Sequence, residues 1–308
     1  MRLIFVATGD IALPAFRHLL EHGPRPVALV AQPDKPVGRH QTLTPPRVKV
    51  EALAAGIPVY QPEKIGDATE ELAALNPEIL VVMAYGQFLP KATRELASQV
   101  IINLHASILP KYRGASCIQG AIDNGDEETG ITVMHVVKQL DAGDIIHIET
   151  LPIARDETGG VLHDRLADLA PVAMAKALKQ LADGTAARTP QVEEEHTYAP
   201  KLDREHGKLD WTQSAEKLER RIRAYDPWPG TYTVVLEGDK EKRMKIFPPT
   251  QVVEIPLAPG EIRIQDGQFI VGCGEKSLRL ESIQPEGGKC MTATDYLRGK
   301  SPQSMKVN

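Results

Sequence analysis

The sequence has 308 residues, a length that predicts two domains. With 42% hydrophobic and 25% charged residues, its composition is that of a globular enzyme or binding protein and excludes a disordered chain or a coiled coil. Its three cysteines, Cys117, Cys273 and Cys290, are too few and too widely spaced for a disulfide framework or a four-ligand zinc site. No apolar run is long enough for a membrane helix, so we expect a cytoplasmic protein without a membrane segment.

The charge is distributed unevenly along the chain. A net charge of −5 argues against nonspecific binding of polyanions, because such binding depends on Lys and Arg neutralising phosphates. Residues 1–206 hold 20 Lys and Arg against 27 Asp and Glu, a net charge of −7, whereas residues 207–308 hold 16 against 14, a net charge of +2. The two parts therefore differ in the sign of their charge, which hints at different tasks.

In the first part of the chain, short apolar runs alternate with amphipathic stretches. The runs are typical of strands buried on both faces and lie at 3–7, 27–31, 79–83 and 100–103, with a further strand at 131–137. Helices are predicted at 14–21, 48–55, 69–75 and 161–183, the last of which ends before Gly184. This alternation predicts a doubly wound, mainly parallel Rossmann-like sheet, whose ligands bind beyond the carboxyl ends of the strands.

A change in composition separates this part from a second, smaller domain. Residues 190–206 contain prolines and the acidic run 193–195, and they predict a linker between a domain at 1–189 and another at 207–308. The second domain begins with an amphipathic helix at 214–225. Short strands separated by Gly-bearing turns follow at 231–236, 243–247, 261–264, 269–271 and 278–280. They predict a small antiparallel, OB-like β-barrel.

Several well-known motifs are absent from the sequence. There is no G-x-G-x-x-G after the first strand, no Walker A motif, no H-E-x-x-H, no paired C-x-x-C and no G-x-S-x-G. Dinucleotide, P-loop and zinc-protease chemistries therefore lose their main support, and the predicted sheet must bind another ligand.

A polar pair stands at the end of the fourth predicted strand. Asn103 and His105 are two residues apart, so their side chains leave the same face of the strand at the ligand-binding edge. An amide donor beside an imidazole can polarise a carbonyl and handle the proton of an attacking amine, as acyl transfer requires. Asp141, in a turn-rich loop after the strand at 131–137, could fix the tautomer of the imidazole and favour its protonated form. The same pair also fits a purely structural role in loop hydrogen bonding.

These residues and many others resemble a known family. Asn103-Leu-His105-Ala-Ser107-Ile-Leu-Pro110, followed by Arg113-Gly114 and by Leu140-Asp141-Ala-Gly143-Asp144, is similar to the active-site core of folate-dependent formyltransferases. Further matching segments lie at 31–39, 43–46, 56–62, 84–90, 226–230, 284–287 and 296–299. With them, the chain resembles the methionyl-tRNA formyltransferases over nearly its whole length.

The resemblance implies a reaction and a set of site residues. The formyl group of 10-formyltetrahydrofolate, the co-substrate, would pass without a metal to the α-amine of methionine on initiator tRNA, and the enzyme is expected to be a monomer. Asn103 would hold the formyl oxygen, His105 would transfer a proton and stabilise the oxyanion, and Asp141 would orient and charge His105. The implied folate-binding residues are Ser107, Ile108, Leu109, Pro110, Ala84, Tyr85, Gly86 and Gln139. The implied tRNA contacts are Lys35, Arg39 and Arg47 in a Pro-rich loop, and Lys208, Arg220, Arg243 and Lys245 in the second domain.

Other functions remain open. The core motif also fits glycinamide ribonucleotide formyltransferase, but that family lacks the second domain and the Pro-rich loop. The sequence departs from the family pattern at His40-Gln41, at Cys117 and in the first loop, which lacks the usual proline. A sugar-nucleotide formyltransferase, a formyltetrahydrofolate hydrolase and a noncatalytic folate-binding or RNA-binding protein are therefore the alternatives. Taken without the resemblance, the Pro-rich loop and the scattered basic residues fit an ordinary solvated surface.

Overall fold

The computed structural model of the chain describes residues 1–38, 40–237, 240–298 and 305–307. Contacts divide them into two units, of which Met1–Gly114, Thr129–Leu151 and His163–Tyr198 form the first. The second unit consists of Ala115–Glu128, Pro152–Leu162 and the described residues from Ala199 onward. The units are interleaved along the chain, whereas the predicted domains are consecutive. The predicted boundaries 1–189, 190–206 and 207–308 stay a prediction.

The first unit is built around a seven-stranded sheet. Strands β1 to β9 span, in chain order, Leu3–Ala7, Ala28–Val30, Lys35–Val37, Thr42–Thr44, Val59–Tyr60, Ile79–Met83, Val100–His105, Glu128–His135 and Ile145–Pro152. The sheet has the order β5-β2-β1-β6-β7-β8-β9; its pairs from β5 to β7 are parallel, and β8 is antiparallel to β7. This topology confirms the predicted fold class. The sequence analysis did not predict β9.

The central strands form because their residues are apolar on both faces. All five residues of β1 are fully buried, and β6 is buried throughout. A run of this kind suits the interior of a parallel sheet, where each large apolar side chain contributes about 1.5–3 kcal/mol by leaving water. These buried strands form the rigid centre of the first unit, and they therefore hold the polar side chains at their carboxyl ends in fixed positions.

Of the eight helices in the described residues, five lie where the apolar periodicity predicts them and three are not predicted. Helices α1 to α8 span Leu13–Glu21, Arg47–Ala54, Thr69–Ala74, Lys91–Arg94, Cys117–Asn124, Gly159–Ala182, Ala215–Ala224 and Ala293–Leu297. The predicted helices match α1, α2, α3, α6 and α7 to within two residues. Gly184 follows the end of α6 with a φ of +69°, the left-handed conformation that favours glycine. The sequence analysis missed α5, whose eight residues carry a glycine at their centre.

The Pro-rich loop contains a small hairpin that the sequence analysis did not predict. Strands β3 and β4 pair in antiparallel register, with Lys35 opposite Thr44 and Val37 opposite Thr42. All six residues of the two strands are exposed. The apolar side chains of Val37 and Leu43 are 56% and 65% exposed, so this hairpin presents apolar as well as basic groups to the solvent.

The second unit contains a curved antiparallel sheet. Strands β10 to β16 span Thr231–Glu237, Lys240–Val253, Ile262–Gln265, Gln268–Gly272, Ser277–Pro285, Met291–Thr292 and Met305–Val307. The order is β12-β13-β14-β11-β10-β16, and β15 pairs with β14. The N–H of Val307 in β16 donates to the carbonyl of Gly260, which lies just before β12, at 3.1 Å. The two ends of the sheet thus approach each other, which confirms the predicted barrel-like second domain.

Helix α7 packs its apolar face into the core of this second unit. Ser214 begins the helix by accepting a hydrogen bond from the N–H of Lys217 at 3.3 Å. Leu218 and Ile222, one turn apart, are buried in a cluster with residues of β10, β11, β13 and β14. Arg221 and Arg223 lie in the last turn of α7, where the helix dipole favours positive charge.

Candidate active site

Asn103 and His105 lie at the carboxyl end of β7, as predicted. In the antiparallel register with β8, Asn103 pairs with Met134 and His105 pairs with Thr132. The two side chains share one face of the sheet because they are two residues apart. His105 is only 7% exposed, whereas Asn103 is half-buried. Within the described residues, no hydrogen bond engages the amide of Asn103, so this group is available to a ligand.

The imidazole of His105 lies between two oxygen atoms. Its Nε2 is 2.9 Å from the carbonyl oxygen of Tyr112, and its Nδ1 is 3.6 Å from Oδ2 of Asp141. The Tyr112 carbonyl is at hydrogen-bond distance, and the Asp141 carboxylate lies just beyond that distance but near enough for an electrostatic interaction. The structure therefore brings the three predicted catalytic residues close enough for Asp141 to act on His105, and His105 stands beside Asn103 on one strand.

Asp141 is held by backbone groups that the sequence analysis did not predict. Its Oδ2 accepts a hydrogen bond from the N–H of Gly114 at 2.9 Å. Asp141 adopts a φ of +50°, in the left-handed region, and the following residues turn back toward the end of β8. At Gly143 a Cβ atom would overlap the carbonyl oxygen of His135, so the close approach requires glycine. The loop thus presents the Asp141 carboxylate in one defined place.

The turn after β7 contains four of the predicted folate-binding residues. Thr132 fixes this turn, because its Oγ1 donates to the carbonyl of Ser107 at 2.6 Å and accepts from the N–H of Leu109 at 3.1 Å. Ser107 and Leu109 are buried, so they support the turn from within. Ile108 and Pro110 are partly exposed.

A second turn, Ala84 to Gly86, follows β6 at the same edge of the sheet. Ala84 and Gly86 have φ values of +48° and +81° and are exposed. The carbonyl of Tyr85 accepts from Oγ1 of Thr8 at 3.2 Å and from Nε2 of Gln32 at 2.6 Å, so Thr8 and Gln32 support a turn that sequence alone did not connect with them. The side chain of Tyr85 is buried and its hydroxyl has no partner among the described residues. Burial raises the pKa of Tyr85 to about 12.

Gln139 and the cavity of the first unit lie apart from the two turns and the Asn103–His105–Asp141 group. Gln139, the last predicted folate-binding residue, is exposed in the loop between β8 and β9. A cavity of about 340 Å³ in the first unit is lined by residues of α1 and α6, such as His18 and Leu178, and by none of the predicted site residues. In the part of the chain that the structure describes, no group of three or more His, Cys, Asp or Glu side chains could hold a metal ion.

Comparison with known proteins identifies the family. The Formyl transferase family matches residues 1–178, and the family described as Formyl transferase, C-terminal domain, matches residues 201–301. The chain is 48% identical over 304 residues to the methionyl-tRNA formyltransferase of Akkermansia muciniphila, covering 97% of this chain and 96% of that protein. It is 42% identical to the methionyl-tRNA formyltransferase of Marinobacter nauticus, with the same coverage of both proteins. The chain belongs to the methionyl-tRNA formyltransferase family.

Solved structures share the fold of this formyltransferase at lower sequence identity. An N-formyltransferase from Helicobacter canadensis, in complex with folinic acid and dTDP-3-aminofucose, has a TM-score of 0.68 at 18% identity and covers 91% of this chain and 98% of its own. HypX from Aquifex aeolicus, in complex with tetrahydrofolic acid, has a TM-score of 0.63 at 19% identity. The match covers 96% of this chain, which spans about half of HypX, or 47%. At these identities the likeness concerns the fold.

Two of the predicted tRNA contacts in the first unit, Lys35 and Arg47, lie in or just after the hairpin of β3 and β4. Lys35 is exposed in β3 and bonds to Oε1 of Gln32. Arg47 is exposed at the start of α2, and its guanidinium is 3.3 Å from Oδ2 of Asp10. Arg39 lies outside the described residues, so its predicted role stays a prediction.

Among the described residues, no helix is long and apolar enough to cross a membrane.

The predicted contacts of the second unit fall into two groups. Tyr232 in β10 forms backbone β-pairs with Lys208 on one side and with Lys245 of β11 on the other, and both lysines are exposed. The guanidinium of Arg243 lies 3.3 Å from the centroid of the Tyr232 ring, and both Arg243 and Lys245 project from one face of β11. Arg220 instead donates to the carbonyl of Asp123 at 3.2 Å and is partly buried. Three of the four residues therefore share one basic surface. Arg220 has an internal partner, and its predicted role stays a prediction.

Proposed function

We propose that the chain transfers the formyl group of 10-formyltetrahydrofolate to the α-amine of methionine on initiator tRNA. The observation that carries the proposal is a trio of side chains: the Asn103 amide, which has no partner among the described residues, the neighbouring imidazole of His105, and the Asp141 carboxylate 3.6 Å from that ring. The family name supports the same substrate pair, since relatives at 42–48% identity over nearly the whole chain are named methionyl-tRNA formyltransferases. Two solved structures with this fold are complexes with folate compounds, tetrahydrofolic acid and folinic acid, which agrees with the proposal.

The residues at the sheet edge fit a formyl-folate. The formyl oxygen of such a donor needs a hydrogen-bond donor, and the Asn103 amide has no other partner among the described residues. In the two turns, the residues that are exposed or partly exposed and would line the pterin are Ala84, Gly86, Ile108 and Pro110. When bound, the formyl-folate supplies an activated carbonyl carbon for the amine to attack.

In the proposed reaction, a C–N bond forms between the methionyl amine and the formyl carbon, and the bond from that carbon to the folate nitrogen breaks. Asn103 stabilises the negative charge that develops on the formyl oxygen by donating from its amide. His105, in its positively charged form, stabilises the same charge and donates a proton to the departing nitrogen, and the proton that the amine loses restores the charged ring. Asp141 maintains the positive charge of His105 and fixes the orientation of its ring.

The second domain would supply the tRNA-binding surface in this proposal. We define the basic strand surface as Lys208, Tyr232, Arg243 and Lys245. Its Lys and Arg side chains can meet phosphates, and the ring of Tyr232 holds Arg243 in place. In the first domain, Lys35, Arg39 and Arg47 of the Pro-rich loop would contact the acceptor end of the tRNA. The proposal also includes 10-formyltetrahydrofolate, rather than another folate, as the donor. It further includes a monomeric enzyme.

One assay separates this function from its alternatives. The purified chain is incubated with 10-formyltetrahydrofolate and, separately, with methionyl initiator tRNA, a dTDP-amino sugar or water as acceptor. We expect formylmethionyl-tRNA in the first reaction, and background rates in the other two. Formylation of the sugar or hydrolysis of the folate at a comparable rate would contradict the proposal. Binding of folate and tRNA without turnover would instead indicate the noncatalytic class.

A further inference from the structure

The loop that carries Asp141 needs support from outside itself. Asp141 has a left-handed φ of +50°, a conformation that is unfavourable for a non-glycine residue. The loop residues before it, Lys138 to Leu140, are exposed and contribute no burial that would hold the loop in place. Something else must therefore fix the position of the carboxylate relative to His105.

Gln191 meets this need from a distant part of the sequence. Its Nε2 donates to the carbonyl of Asp141 at 2.8 Å and to the carbonyl of Gly143 at 2.9 Å. One amide thus clamps both ends of the turn that contains the catalytic carboxylate. The other end of the same amide, Oε1, accepts from Nε and Nη2 of Arg113 at 3.1 and 3.0 Å. Both donor hydrogens and the acceptor oxygen of Gln191 are therefore used.

Arg113 connects this clamp to the rest of the site. Its side chain is 2% exposed and forms two hydrogen bonds with the carboxylate of Glu193, at 3.1 and 2.9 Å. The hydrogen bond from Arg113 lowers the pKa of Glu193. The residues on each side of Arg113 contact the catalytic pair through their backbone: the carbonyl of Tyr112 faces His105, and the N–H of Gly114 donates to Asp141.

We infer that Gln191 is a positioning residue, which holds the Asp141–Gly143 turn so that the Asp141 carboxylate faces His105. Gln191 contacts the backbone of the turn and neither His105 nor Asn103, so it acts through Asp141. The inference rests on the proposed function, because it concerns the rate of the same reaction. It also assigns a task to a residue in the segment 190–206 that the sequence analysis treated as a linker.

The test uses a substitution that removes the donor, at the cost of one added negative charge. Gln191→Glu keeps the size of the side chain and an acceptor for Arg113, but it replaces the donating NH₂ with an oxygen that faces two carbonyls. We expect kcat to fall about 10- to 100-fold, since a shift of a catalytic group by about 1 Å costs a factor of this order. KM for both substrates should stay within about threefold of the wild-type values, because no substrate contact is removed. The control is Glu194→Gln, at an exposed position in the same segment, for which we expect wild-type kinetics.

A double-mutant cycle distinguishes positioning from a general structural role. On an Asp141→Asn background, the carboxylate that Gln191 positions is already gone, so adding Gln191→Glu should cost less than about threefold more. An equal fold-loss on both backgrounds, or a kcat of Gln191→Glu within threefold of wild type, would overturn the inference. Circular dichroism at the assay temperature checks folding, and Gln191→Asn takes the place of any Gln191→Glu protein that is unfolded. A wild-type enzyme that does not formylate methionyl-tRNA would refute the proposed function instead, so the two failures are separate.

Discussion

Replacing Asp141 with asparagine tests the electrostatic part of the proposed mechanism. Asparagine has nearly the same shape, and its amide oxygen can still accept from the N–H of Gly114, so the substitution removes mainly the negative charge. The lost charge lies 3.6 Å from Nδ1 of His105, and the two side chains are only 13% and 7% exposed. At an effective dielectric constant near 20, an interaction at this distance is about 5 kcal/mol. Part of it acts equally on the ground state, so we expect kcat to fall about 100- to 1,000-fold.

The neighbouring pair of Asp144 and Arg188 provides a matched control for this prediction. Oδ2 of Asp144 is also 3.6 Å from the Arg188 guanidinium, but the two side chains are 40% and 66% exposed. Solvent screens such a pair, and exposed ion pairs contribute about 0–1 kcal/mol, so Asp144→Asn should leave kcat within about threefold. The assay is single-turnover formylation of methionyl-tRNA at saturating formyl-folate, with both variants checked for folding by thermal unfolding. If Asp141→Asn also retained kcat within threefold, the charge of Asp141 would not act on His105 as we reason.

Three further predictions follow from individual residues. Asn103→Ala should lower kcat by about 100- to 1,000-fold, because one oxyanion donor contributes about 3–4 kcal/mol. The melting temperature should barely change, since the amide has no partner among the described residues. Unchanged turnover would remove Asn103 from the mechanism. Arg39→Ala should raise KM for methionyl-tRNA more than KM for the folate in steady-state assays, and equal changes would contradict the tRNA role. Tyr85→Phe should raise the free energy of unfolding in urea by about 1 kcal/mol, because the hydroxyl is buried without a partner among the described residues; a loss of stability would show that the hydroxyl is satisfied in solution.

The main strands of the first unit could be predicted because burial on both faces leaves a plain sequence pattern. Strands β1 and β6 match the apolar runs residue for residue, since nearly every position there must be apolar. Strand β9 was missed because it lies at an edge of the sheet and carries His147, Glu149 and Thr150 among its apolar residues. Edge strands tolerate polar residues on their open side, so their pattern resembles a loop.

The site could be predicted only as far as local geometry reaches. The alternation of side chains along a strand places Asn103 and His105 on one face without any knowledge of the rest of the chain. The supports of Asp141 come from Gly114, 27 residues away, and from Gln191, 50 residues away, and no periodic pattern encodes such contacts. Composition misleads at Gln191 in particular, because it registers how much apolar surface a segment buries and not how many hydrogen bonds it makes.

Charge shows the same limit, because counting cations does not tell which of them already have an internal partner. Arg47 lies near Asp10, and Arg220 bonds to the carbonyl of Asp123, so these two side chains are partly used within the protein. Lys208 and Lys245 are exposed, beside a ring that fixes Arg243. The net charge of −5 would argue against a nucleic-acid partner only if binding followed the sum of the charges. Phosphate binding depends instead on the few cations that stand together on one surface, within a Debye length of about 8–10 Å of the ligand. Lys208, Arg243 and Lys245 stand together beside Tyr232 in a chain whose total charge is negative, which is why we propose them as phosphate contacts.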